Sequence, residues 1–277
     1  MMFTAPIPFK EALEARVVRS ILPTSGDTAD LAALDAAVKE RAMFSATVTS
    51  GELLQKIDDM ANGILTGQID QGTARAEIKL LLSDMGYVPD PNHAGGLQDL
   101  SSDPRINLQL ETNVDTARGY GWWAQGQQED VLDEYPADEL VRFQVPKGGE
   151  AAERDWADRW EQVGGQFYDG RMIAHKNAAI WSELGDPSTF PDGLGNPYAP
   201  FAFNSGMGTR DVARDEAEAL GVVSKNTRIL PQSRGFNQDL KASPQVRSEN
   251  LRGLMEASGL GSFNKDGVFI FSGEGSN

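Results

Sequence analysis

The chain has 277 residues, enough for one large domain or two modest ones, with no cysteine, two histidines and a formal net charge of −16. Disulfides, thiol nucleophiles, thiolate zinc sites and histidine-rich metal centres are thereby excluded. Residues 1–204 carry 16 Lys+Arg against 32 Asp+Glu, whereas residues 205–277 carry 9 of each, so the acidic excess lies in the first three quarters and disfavours nucleic-acid binding.

No apolar run is long enough to cross a bilayer, so no membrane contact is expected. The start, MMFTAPIPFKEALEARVV, lacks the basic and apolar regions of a secretory signal. In chain order, residues 9–22 read as a helix ended by Pro23, and Asp30 to Ala46 as a second with Leu31, Leu34, Val38 and Ala42 on one stripe. Thr49 to Glu52 has the form of a capping box, with Thr49 as N-cap. Leu53, Leu54, Ile57, Met60, Ala61, Ile64 and Leu65 follow at helical spacing. After the turn GQIDQG comes a helix with Ala74, Ile78, Leu81, Leu82 and Met85 inward and Gly86 as its C-terminal cap. Together they form an αα-hairpin.

A polar loop at residues 87–102 precedes a helix that Asp103 caps and Pro104 opens. Its stripe is Ile106, Leu110, Val114, Ala117 and Gly121, and it ends near Trp122-Trp123. The acidic run EDVLDEYPADE reads as a linker, and Leu140 to Val145 as the first strand. A helix from Glu153 to Val163 sets Trp156 and Trp160 on one face, and RMIAHK reads as a strand. Further elements are expected at 211–220 (helix), 227–230 (strand) and 245–258 (helix), with Gly267 to Ser272 an edge strand open to a partner. The fold class is α+β: a helical N-terminal half with the hairpin and a smaller mixed C-terminal module. The expected domains are 1–48 (helical arm), 49–134 (helical domain) and 135–277 (α+β module).

Residues 190–207, FPDGLGNPYAPFAFNSGM, place aromatic side chains on backbone with neither helical nor strand periodicity. Three readings are open: an active-site floor, a ligand pocket, or a segment packed into its own core or a neighbour. A nucleophile would be Ser205, with His175 as base and a carboxylate such as Asp192; Asn-Ser-Gly is equally ordinary turn chemistry and is preferred. His175 reads as a structural histidine and His93 as exposed. Ser262 to Lys265 matches SxxK without its companion motifs. The carboxylates Glu129, Asp130, Asp133, Glu134, Asp138 and Glu139 lack calcium-loop spacing. Arg210, Arg214, Lys225, Arg228 and Arg234 mark the one region where an anionic partner could dock, but they alternate with acids and read better as a solvated face. No phosphate loop, dinucleotide fingerprint or nucleophile elbow is present.

Four stretches resemble the Mu F-like phage head morphogenesis family, the minor head or minor capsid proteins. They are RAMFSATV at 41–48, LETNVDTARGYG at 110–121, YPADELVRF at 135–143, and RMIAHKNAAIW at 171–181 followed by PFAFNSGM. Thr112, Asn113 and Ala117 match the family's TN…A helix pattern. Glu111 stands where the family often has Arg. Asn204, Ser205 and Gly206 stand where many members carry a Cys-containing motif, so the chain resembles a cysteine-free branch.

The resemblance implies a non-enzymatic component of the virion head, with no cofactor and no metal, assembled in host cytoplasm. It would be bound in multiple copies to the portal protein, the major capsid protein or both. The expected packing or interaction segment is Pro200, Phe201, Phe203, Asn204, Ser205 and Met207, and the expected partner strand is Val268, Phe269, Ile270 and Phe271. The alternatives are a hydrolase or transferase using Ser205 and His175, or a module binding a peptide or glycan.

Overall fold

A computed structural model describes residues 10–17, 20–21, 42–43, 45, 48, 50–145, 154–232, 241–242, 261–263 and 269–271. The fold is α+β, with helices dominating the N-terminal half. The chain divides into two units, residues 1–117 with 236–277, and residues 118–235. This differs from the sequence-based division. Ala12 of the expected arm lies in the core of the first unit, and the C-terminal residues belong to that unit as well.

In the first unit, α1 (Lys10–Val17), α2 (Gly51–Leu65), α3 (Gln71–Asp84) and the first part of α4 (Asp103–Gly126) supply the core. The hairpin of α2 and α3 forms because each helix has both ends satisfied locally. Ser50 Oγ accepts the Leu53 N–H at 3.2 Å and Asp70 Oδ1 accepts the Thr73 N–H at 2.9 Å. At the far end of α3, Gly86 takes φ +72°. That places its N–H on the Ser83 carbonyl (3.0 Å) and the Tyr87 N–H on the Leu82 carbonyl (2.9 Å), a Schellman closure.

Leu53, Leu54, Ile57, Ala61, Ala74, Ile78 and Leu82 are buried between the helices and α4's Ile106, Leu110, Val114 and Ala117. Arg16 of α1, itself buried, donates to Asn62 Oδ1 (2.7 Å) and Asn113 Oδ1 (3.4 Å) and pairs with Asp58. Asn113, whose Oδ1 accepts from Arg16, thus ties α4 to α1. Strands β1 (Ser20–Ile21) and β2 (Ala42–Met43) pair in parallel.

The second unit holds α5 (Glu129–Glu134), β3 (Ala137–Arg142), α6 (Trp156–Gln162), β4 (Phe167–Tyr168), β5 (Arg171–His175), α7 (Ile180–Glu183), β6 (Met207–Val212) and α8 (Arg214–Ala219). Its antiparallel sheet has the order β4-β5-β3-β6. Asp169 and Gly170, both at positive φ, make the two-residue turn between β4 and β5, as an Asp-Gly pair does in a tight hairpin.

Several expectations fail for physical reasons. Ala42 is in a strand, not a helix, because it pairs with Ser20; residues 30–41 lie outside the described residues. Ser50 rather than Thr49 caps α2. Ser102 rather than Asp103 caps α4, its Oγ accepting the Arg105 N–H at 3.2 Å, while Asp103 pairs with Lys79 and Arg75. That helix also runs past Trp122-Trp123 to Gly126. Met85, beyond the last turn of α3, is 44% exposed. The acidic linker contains α5, which buries Leu132.

The strand expected at 140–145 lies at 137–142, where β6 offers a residue opposite every position. Asp211 and Val212 belong to β6, not to a helix. Residues 227–230 form no strand. Two of their carbonyls are taken by side chains, Thr227 O by Arg214 (3.2 Å) and Leu230 O by Asn177 (2.5 Å).

The terminal strand is the largest correction. Phe269, Ile270 and Phe271 form β9, the middle of a three-stranded sheet with β7 (Lys241–Ala242) and β8 (Gly261–Phe263). Both its edges are occupied, so it cannot be the free partner strand; Val268 and residues 245–258 lie outside the described residues. Ser262 sits in β8, paired with Ile270.

Close packing at Gly119 of α4 is testable. A Cβ there would overlap the Ala199 carbonyl oxygen, whereas one at Gly86 would meet nothing within 4 Å. Gly119→Ala should therefore cost about 2–3 kcal/mol, and Gly86→Ala about 1 kcal/mol through its positive φ alone. Urea unfolding of the two variants separates these effects, and equal losses would refute the close approach.

Candidate functional site

The irregular segment at 190–207 is the feature that composition singles out, and its backbone is held by specific partners. Arg159 of α6 is the organiser. Its Nε and Nη2 donate to the Leu184 carbonyl at 2.9 and 2.6 Å, and Nη1 donates to Asp192 Oδ1 at 2.9 Å. The guanidinium lies 3.9 Å over Phe190 and 4.8 Å over Trp156. Burial lowers its pKa, opposed by the Asp192 charge. Arg154 takes the other Asp192 oxygen at 2.7 Å and donates to the Phe203 carbonyl at 3.3 Å. Asp192, a candidate catalytic carboxylate, is a clasp between two arginines.

Phe201 is fully buried and stacks on Trp181 (6.0 Å, 22°), which meets Trp160 edge-on at 5.6 Å. The indole N–H groups donate to Gln166 O (Trp160, 2.9 Å) and His175 O (Trp181, 3.0 Å). Tyr198 packs against Tyr120 and Trp123 of α4. Phe201 adopts φ +63°, rare for a bulky residue. A three-residue turn, Ala202 N–H to Pro200 O at 2.8 Å, and the Leu194 N–H to Phe201 O bond at 2.9 Å hold it there.

Ser205 is fully buried, its Oγ donating to Pro200 O at 2.6 Å and accepting the Met207 N–H at 3.1 Å. The hydroxyl closes a turn, as the preferred sequence reading has it. His175, whose pKa burial lowers, has an Nδ1 with no hydrogen-bond partner. The structure does not join Ser205, His175 and Asp192 into a hydrogen-bonded relay. Pro200 and Met207 are buried with Phe201 and Ser205. Phe203 (37% exposed) and Asn204 project outward, so the segment divides into an anchor and an outer lip.

A second constellation was not legible in the sequence. Asp138 of β3 faces Asp211 of β6, and the buried Lys176 pairs with both, at 2.9 Å to Asp138. Burial raises the Asp138 pKa to about 6 despite the attraction of Lys176, and the neighbouring Asp211 adds to the rise. Burial pulls the Lys176 pKa down, but the two carboxylates outweigh it and leave it raised.

On the opposite face, Glu139 pairs with Arg171 (2.6 Å) and with Arg210, and Arg171 reaches Glu216 (2.5 Å). Burial opposes the ionisation of Glu139, yet the two arginines hold its pKa below the usual value. Of the remaining acids, Asp133 pairs with Arg214 at 3.1 Å and Glu129 with Arg228 at 3.5 Å, lining a cleft of about 450 Å³. Among the described residues no three His, Asp or Glu side chains are grouped as a metal site.

Two predictions follow from this packing. Phe201→Ala should lose about 3–5 kcal/mol by emptying a filled site, while Phe203→Ala should lose about 1 kcal/mol or less; thermal and urea unfolding measure both, and equal losses would contradict the division of the segment.

The second concerns pH. Asp138 has a raised folded pKa, so the native state keeps a proton that the unfolded chain releases near pH 4. Its contribution is complete below about pH 4 and is lost as pH rises to about 6. Glu139 works in the opposite sense, its contribution lost as pH falls below the ordinary carboxylate range. The stability of Asp138→Asn relative to the natural chain should therefore shift in the variant's favour as pH rises from about 4.5 to about 6.5, whatever the constant cost of losing the Lys176 pair. A urea-midpoint difference that stays constant across the window would rule this out.

No family model, curated protein or solved structure matches the chain.

Proposed function

We propose that this chain is a phage minor head protein, acting in head morphogenesis and bound in multiple copies to the portal protein or the inner face of the capsid shell. The reading rests on the four family-like stretches, and the observation that carries it is the packing of the PFAFNSGM segment. Phe201, Ser205 and Met207 are buried against the chain's own Trp181, Pro200 and Leu140, in place of an open floor for a substrate. In the competing hydrolase reading Ser205 would be free to attack. Its hydroxyl instead donates to a backbone carbonyl. The apolar ligand-site reading needs vacant aromatic surface, which the Trp160–Trp181–Phe201 stack occupies.

Among the described residues no helix is long and apolar enough to span a membrane. The acidic surface would keep the chain away from packaged DNA, since like charge at short range is costly. Virion heads purified from cells carrying the chain's own genome should contain the full-length protein at a few copies per portal by quantitative mass spectrometry. Its absence from heads and from assembly intermediates would overturn the proposal. A hydrolytic activity abolished by a well-folded Ser205→Ala variant would replace it.

A further inference from the structure

We infer that the outer edge of β6 is a docking site for an extended, basic strand of another protein. The sheet order leaves β6 with β3 on one side and no strand on the other among the described residues. All six β6 residues are paired one-to-one with β3, so the strand itself has neither bulge nor proline, two of the protections of an edge. The opposite edge is β4, only two residues long.

The direction of the free groups follows from the ladder. The Phe143 and Gln144 N–H groups both donate to Gly206 O (2.9 and 3.1 Å), so Gly206 faces β3. By alternation Met207, Thr209 and Asp211 turn their peptide groups outward. The Met207 N–H confirms this, since Ser205 Oγ takes it. The outward peptide groups of Thr209 and Asp211 have no such partner among the described residues.

Charge and shape specify the occupant. Asp138 and Asp211 share one lysine, which leaves a net negative charge beside the edge that a Lys or Arg opposite Asp211 would neutralise. The Phe143 ring lies over Gly208 and is 68% exposed, offering a shelf for an apolar residue placed opposite Gly208. The incoming strand gains main-chain hydrogen bonds from the edge and selectivity from these two positions. A second copy is a poorer fit, because two chains of net charge −16 repel. The inference is independent of the head-protein reading.

The test uses the full chain, a short capped peptide of alternating valine and lysine, and amide hydrogen exchange. The peptide should slow exchange at Thr209 and Asp211 by about tenfold or more. N-methylation of the edge-facing peptide amides should remove that protection, as should Thr209→Pro, whose lost N–H serves no bond to β3. The N-methylated peptide keeps the test valid if the proline variant does not fold. Equal protection by a valine–glutamate peptide or by the N-methylated one would refute the basic-strand assignment, as would absence of protection. Amides at 209 and 211 as slow as those of β3 before any addition would show the edge already covered. Protection that grows with protein concentration, together with a dimer in solution, would assign the edge to a second copy instead.

Discussion

Irregular backbone can be buried only if its peptide groups find partners, because each one left unpaired in the interior costs free energy comparable to a lost hydrogen bond. That constraint shapes the second unit. Between Leu184 and Gly206 the chain has no helix or ladder to supply partners, so other groups do. Arg159 occupies Leu184 O, Gly195 N–H occupies Gly185 O, Ser205 Oγ and Ala202 N–H occupy Pro200 O, and Phe143 and Gln144 occupy Gly206 O. With the carbonyls satisfied, Phe201 and Tyr198 can fill apolar space. The positive φ of Phe201 is tolerated because its turn and its stack fix it from both sides. Aromatic surface on irregular backbone is here the means of closing a core.

The same economy of partners governs the sheet. The interior strand β3 carries two adjacent carboxylates, and alternation sends them to opposite faces. Each face supplies its own cations: Lys176 for Asp138, Arg171 and Arg210 for Glu139. Breaking a buried pair by removing one partner is far more damaging than omitting the pair altogether. The network therefore links β3, β5 and β6 to one another through charge as well as through the ladder. Lys176 alone neutralises less than the two aspartates present, and that imbalance lies beside the only long strand edge described in this unit.

The two strand edges expected and observed have exchanged places. GVFIFS is apolar enough to suggest a strand seeking a partner, but its own chain supplies β7 and β8 on either side. MGTRDV, with a glycine and two opposite charges, carries no such signal and yet ends at the sheet's edge, with no further strand beside it among the described residues. Apolarity marks strands that will be covered. Openness is a property of topology.

The sequence by itself determined the elements whose signals are local. The αα-hairpin follows from apolar spacing and from capping groups within a few residues, so even the misplacement of its cap by one residue left the buried set nearly unchanged. The strand at 171–175, the tryptophan face of α6, the stripe of α4 and the turn role of Ser205 were legible for the same reason. Only the tertiary structure decided where β3 begins, that Asp211 is a strand residue, and that Arg159 and Lys176 are buried, Arg159 against a half-buried Asp192. A charged side chain looks like surface until its partner, here between about 25 and 40 residues away, is brought against it. Local periodicity cannot encode a pairing across that distance, because the free energy of burying a charge depends on the partner and not on the charge itself.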